Sequence, residues 1–140
     1  MTLYNNEILK LATSTANFAR LPDAQASVEK RSPICGSRVT VDVRLDPSGN
    51  IDALGLEVRA CALGQASAAL MAASAQGRSA DELGYARDDL AAFLGGRRAD
   101  PGTWPGLTIL EPAVPHRARH ASILLAFEAV AEAAQIATRP

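Results

Sequence analysis

Residues Arg38-Val-Thr-Val-Asp-Val-Arg-Leu45 alternate apolar and polar without a break, and this run constrains the fold more than any other stretch. A period of two puts Val39, Val41, Val43 and Leu45 on one face and Arg38, Thr40, Asp42 and Arg44 on the other, which predicts a half-buried strand. Asp46-Pro47-Ser48-Gly49-Asn50 follows with turn chemistry, and Ile51 to Ala60 reads as the returning strand of an antiparallel hairpin. At Cys61 the period changes: Ala62 to Gln76 is rich in small helix formers, so strand gives way to helix at the cysteine.

The flanks supply the other elements. Asn5 to Phe18 carries Ile8, Leu9, Leu11, Ala12 and Ala16 at helical spacing behind an Asn N-cap, and a short strand is expected around Ala26 to Lys30. Ser79-Ala80-Asp81-Glu82 has the form of a capping box and opens a helix that Gly95-Gly96 ends. From Arg97 to Pro115 the prolines and glycines exclude regular structure apart from a short turn near Leu107 to Leu110. A last helix from about Arg117 to Ile136 places Ile123, Leu124, Phe127, Val130 and Ala134 close to one face. These elements predict an α+β domain, residues 1–140, in which helices pack on one face of a three-stranded antiparallel sheet.

Charge narrows the partners. With 15 acidic against 14 basic side chains the formal net charge is -1, so there is no global pull toward nucleic acid or an anionic membrane. The apolar stretches, such as Ala60 to Ala75, are rich in Ala, Ser and Gly and lack the ~20 strongly apolar residues of a spanning helix. No secretory signal is visible at the N-terminus, and a cytoplasmic location is expected.

The residues able to do chemistry are few. Cys35 and Cys61 are the only cysteines, and their separation fits neither a disulfide framework nor a C-x-x-C pair. Pro33 and Gly36 bracket Cys35 in a tight loop, and Cys61 sits where helix amides and the helix dipole favour a thiolate. Both placements suit metal ligands, and both also suit inert, buried thiols. His116 and His120 are the only histidines; His120 shares a helical face with Leu124, whereas His116 among arginines reads as solvated. Gly95-Gly96-Arg97-Arg98 lacks the Lys-Ser/Thr of a phosphate loop, and Asp88-Asp89 reads as the wet side of a helix.

The order of these pieces resembles the IscU/SufU/NifU-N-terminal family of iron-sulfur cluster scaffolds, most clearly over Pro33 to Ser74 and Pro115 to Ala134. Cys35-Gly36 matches the family's Cys-Gly-Asp motif with Ser37 in place of Asp, and Cys61 matches the second cysteine. Arg119-His120-Ala121-Ser122-Ile123-Leu124 matches the third motif with Ala121 at a cysteine position. The long stretch holding Trp104-Pro105-Gly106-Leu107 is more similar to the SufU branch. The resemblance implies a scaffold and carrier rather than an enzyme. Cys35, Cys61 and His120 would hold a transient iron-sulfur cluster or zinc; a cysteine desulfurase and recipient apo-proteins would be its partners. A [2Fe-2S] cluster normally takes four protein ligands and zinc is usually tetrahedral, so losing a carboxylate and a thiolate leaves the set short. Two alternatives follow: a zinc-linked sulfur acceptor, or a metal-free regulator occupying a scaffold's docking surface.

Overall fold

The computed structural model describes residues 5–33 and 36–139, so Cys35 lies outside the described residues. Helix α1 (Asn6–Ser14) is capped by Asn5, whose side chain accepts from the Ile8 amide, and a 3-10 turn at Thr15–Asn17 ends it. Strands β1 (Ala26–Arg31), β2 (Arg38–Leu45) and β3 (Ile51–Arg59) form an antiparallel sheet in the order β1-β2-β3. The Asp46 carboxylate accepts from the Ser48 and Asn50 amides, and Gly49 takes φ +88°, a left-handed conformation that only glycine adopts readily. Helices α2 (Ala62–Ser74) and α4 (His120–Ala137) cover one face of the sheet, with α1 against α2 and α3 (Ala80–Leu94) against α4.

The half-buried strand is not what forms. Thr40 and Asp42 of β2 are buried along with Val39, Val41 and Val43, because the chain ahead of β1 crosses the face that the helices leave open. Ala19 O accepts from Leu56 N at the free edge of β3. The fully buried Asp42 carboxylate then accepts two bonds from Arg20 (2.8 and 2.9 Å), one from Leu21 N (2.8 Å) and one from Ser27 Oγ (2.6 Å). Burial alone pushes this carboxyl up, but the bonds from Arg20, Ser27 and Leu21 outweigh it and hold it below the usual carboxylate range. Gly55 makes the crossing feasible: a Cβ there would run into the Leu21 backbone nitrogen. Alternation correctly located the strand, while polar side chains bonded to a crossing loop, invisible to any periodicity, closed its second face.

Helix α4 is buried on most sides rather than along one stripe, since it lies between β1, β2, α2 and α3. Together with the 3-10 turn before it, 117–137 is long and apolar enough by length and composition to cross a membrane, which the sequence reading had not anticipated. Its Ile123, Phe127, Val130 and Ala134 are instead fully enclosed by the protein core. The capping box of α3 forms as expected, with Ser79 and Glu82 bonding each other's backbone amides. At its other end Gly96 N donates to Phe93 O and Arg97 N to Ala92 O, a Schellman closure with Gly96 at φ +79°. The short turn expected near Leu107 is a longer 3-10 helix, Leu107–Ala113. Trp104 anchors this region by donating to Leu70 O (2.9 Å) and meeting Phe127 edge-on, with the Arg78 guanidinium 4.8 Å over its ring.

Candidate ligand site at the end of the sheet

Three chain segments meet where β1 ends, β2 begins and β3 ends. The ladder pairs Arg31 with Arg38 and Arg38 with Arg59, and the Ser32 amide extends it by donating to Ser37 O (2.8 Å). Gly36, at φ +73°, turns the chain back into β2. Ser37 is buried at this turn, two residues after the expected ligand Cys35, which lies outside the described residues.

Cys61 is the N-cap residue of α2, extended at φ -64° and ψ 169°. Its side chain makes no capping bond and is partly exposed; its Sγ lies 3.4 Å from Ser122 Oγ in the first turn of α4. Ser122 Oγ in turn donates to Ser37 Oγ (3.0 Å), so one buried hydroxyl joins the β1–β2 connection, the start of α2 and the start of α4. Gly64 permits this approach, because a Cβ there would come within 2.5 Å of Ser122 Oγ. Ser67 Oγ donates to Ile123 O (2.6 Å) and fixes the same crossing one turn further along α2. With Ser122 donating to Ser37, the Cys61 thiol is the donor to Ser122. When the sulfur is a thiolate or bound to a metal, the Ser122 hydroxyl can rotate to donate to it instead.

His120 is the first residue of α4, and its Nε2 lies 3.0 Å from Ala113 O. A carbonyl only accepts, so Nε2 carries the hydrogen and the neutral ring keeps its lone pair on Nδ1; a backbone partner of this kind orients metal-bound histidines. Ala113 O also accepts from the His116 amide (2.9 Å), while the His116 side chain is exposed. The structure therefore brings Cys61, Ser37 and Ser122 into contact and sets His120 two residues from Ser122 on the same turn. Among the described residues no group of three or more His, Cys, Asp or Glu side chains is placed to hold a metal ion. Two thiolates and an imidazole suit iron or zinc, and the methyl group of Ala121 offers no electron pair. Ser122 went unassigned in the sequence reading; its signal there was the third motif itself, in which it directly follows Ala121.

The NifU-like N terminal domain family model matches residues 3–135. The chain belongs to that family. The iron-sulfur cluster assembly scaffold protein IscU of Thermotoga maritima is 25% identical over 138 residues, covering 99% of this chain and 96% of the relative. The crystal structure of a nitrogen-fixing NifU-like protein (N-terminal) from Brucella abortus is 38% identical and superposes with a TM-score of 0.88, over 96% of this chain and 93% of that one. A SufU scaffold structure from Fervidobacterium islandicum, at 19% identity, shares the fold with a TM-score of 0.86 over 94% of this chain and 96% of its own. The NifU-like assignment rests on nearly the whole chain, and both the sheet and the helices take part.

Proposed function

We propose that this NifU-family chain, as one domain spanning residues 1–140, is a scaffold and carrier in iron-sulfur cluster assembly in the cytoplasm. It takes up iron and sulfide, or zinc, through Cys35, Cys61 and His120. Sulfur comes from a cysteine desulfurase, and the product passes to recipient apo-proteins; binding and release do the work rather than catalytic turnover. The observation that carries this reading is the convergence of the β3–α2 junction and the first turn of α4, where Cys61 and Ser122 lie 3.4 Å apart and Ser122 bonds Ser37, two residues beyond Cys35 in sequence. In this reading the cluster is cargo. Ser122 is the hydrogen-bond partner of the Cys61 sulfur, Ser37 holds the Ser122 hydroxyl, and Ala113 O orients His120.

A second reading is favoured by one observation: the Cys61 thiol already has a hydroxyl partner in a closed chain to Ser37, which a metal-free docking paralogue would retain for packing alone. A zinc-dependent sulfur acceptor is the third, and Ala121 weighs against it because the accepting thiol is expected at that position. The deciding measurement is iron, zinc and acid-labile sulfide in protein purified without oxygen, beside a Cys35→Ser, Cys61→Ser double variant. Iron with sulfide that disappears in the variant is the expected result, zinc alone supports the acceptor, and metal in neither sample supports the docking paralogue.

A further inference from the structure

We infer that the end of the sheet beside Cys61 is a docking surface for an acidic segment of a partner protein, gripped by a row of three arginines. For what that partner exchanges at Cys61, this rests on the carrier reading above.

The row follows from the register. The ladder sets Arg31 opposite Arg38 and Arg38 opposite Arg59, so three arginines stand side by side across the ends of all three strands. Alternation puts them on the face that carries Asp42, away from the helices, whereas Lys30, one residue out of phase, pairs with Glu132 of α4. Neighbouring strands lie about 4.8 Å apart, and like charges directly opposite one another destabilise a sheet. Little offsets them here. Among the described residues Glu29 is the one carboxylate paired with any of the three: it accepts from Arg31 at 2.8 Å and lies 3.7 Å from Arg38. Arg59 is exposed and, among the described residues, in no ion pair.

The row borders the ligand corner. Arg59 stands two residues before Cys61, and Arg38 follows Ser37, whose hydroxyl accepts from Ser122. A segment held by the arginines therefore lies against the place where Cys61 and Ser122 meet.

The depth of the positive strip selects its occupant. Directly behind it the same ladder aligns Glu29, Thr40 and Glu57 on the same face, so the strip is one residue deep and is backed by two carboxylates. A single-stranded nucleic acid carries a charge at every phosphate and stacks its bases on aromatic rings; among the described residues the one exposed aromatic ring is Tyr85, on α3. An extended peptide points successive side chains to opposite sides, so its carboxylates can meet the arginines while neutral or basic residues pass Glu29 and Glu57. Guanidinium and carboxylate pair bidentately, which fixes the orientation of such a segment as well as holding it.

The test is fluorescence anisotropy on the metal-free whole chain at physiological ionic strength, with a fluorescein-labelled decapeptide of alternating Glu and Ser as probe. The Arg38→Thr, Arg59→Thr double variant should bind it about five-fold more weakly, the sum of two exposed ion pairs. An Arg97→Gln, Arg98→Gln double variant removes equal charge beyond α3 and should bind as the original does. Urea unfolding of the Arg38→Thr, Arg59→Thr variant should show a raised midpoint, because threonine suits a strand and the opposed charges are gone. No binding by the original chain, or equal weakening in the two double variants, overturns the inference. So does a lowered midpoint, which would make the row part of what holds the sheet together. Tighter binding of an oligothymidylate of equal charge through Arg38 and Arg59 overturns the choice of a protein partner. Since no metal is present, each of these failures leaves the carrier reading to the metal and sulfide assay above.

Discussion

One polar cluster lies on the face of the sheet that the helices leave open and another at the sheet's end, and they are provisioned in opposite ways. The Asp42 carboxylate, fully buried, accepts four hydrogen bonds from Arg20, Leu21 and Ser27, enough to hold it ionised in a dry setting. The ligand corner at Ser37, Cys61, Ser122 and His120 is linked by single hydrogen bonds and has a methyl group, Ala121, where its family resemblance expects a sulfur. Over-provision is what a structural lock requires, because an unpaired buried charge is costly. Neutral hydroxyl, thiol and imidazole groups need fewer partners than a buried charge does.

The lock should give the largest effect when broken. Arg20→Ala leaves a buried carboxylate with only Leu21 N and Ser27 Oγ, and urea unfolding should show a loss of about 3 kcal/mol. That is the low end for a broken buried pair, because about half of the Arg20 side chain is exposed and water can replace it. The same bonds set a pH dependence. Since the folded carboxyl lies below its unfolded value near ~3.9, its contribution is present above that value and is lost as pH falls through the folded one. Arg20→Ala, by relaxing the depression, should move acid unfolding to higher pH, followed by circular dichroism. An unshifted acid midpoint would mean the lock does not depend on its cation.

The corner should yield less, and by crowding rather than by charge. Gly64→Ala puts a methyl group within 2.5 Å of Ser122 Oγ and 2.8 Å of Ala60 Cβ, where α2 and α4 cross and neither neighbour is a flexible chain end. Overpacking of this kind typically costs 1–3 kcal/mol, so about 2 kcal/mol is expected in urea unfolding. The control is Gly84→Ala in the interior of α3, where the nearest atom to a new Cβ is the tip of Arg87 at 3.6 Å; it should be neutral or stabilise by up to ~1 kcal/mol. Equal effects at the two glycines would mean the corner is not tightly packed.

The sequence made one of these clusters partly legible and hid the other. Cys61 at a strand-to-helix junction and His120 at the head of α4 follow from changes of hydrophobic period, so their positions in the fold were readable without coordinates. Asp42 looked like a solvent-facing strand residue, because alternation reports which side chains are polar and not what later lies across them. The crossing at Arg20 and Leu21 has no period of its own, and the small residue that admits it, Gly55, is unremarkable within a strand pattern. Ser122 was hidden for a related reason: a buried serine in an apolar helix reads as filler until its partners on other segments, Ser37 and Cys61, are in place.

The comparison is sharpened most directly by provisioning the corner as fully as the lock. Ala121→Cys adds a thiol at a half-buried position in the first turn of α4 and should leave the apo-protein within about ±0.5 kcal/mol of the original, since no close contact is removed. Retention of iron or zinc against a competing chelator should rise about ten-fold, roughly 1.4 kcal/mol, as a further thiolate joins the proposed Cys35, Cys61 and His120 set. If metal retention stays flat while the new thiol alkylates freely, residue 121 faces away from the ligand set. The deficit would then lie at Ser37, where a carboxylate has given way to a buried hydroxyl already engaged with Ser122.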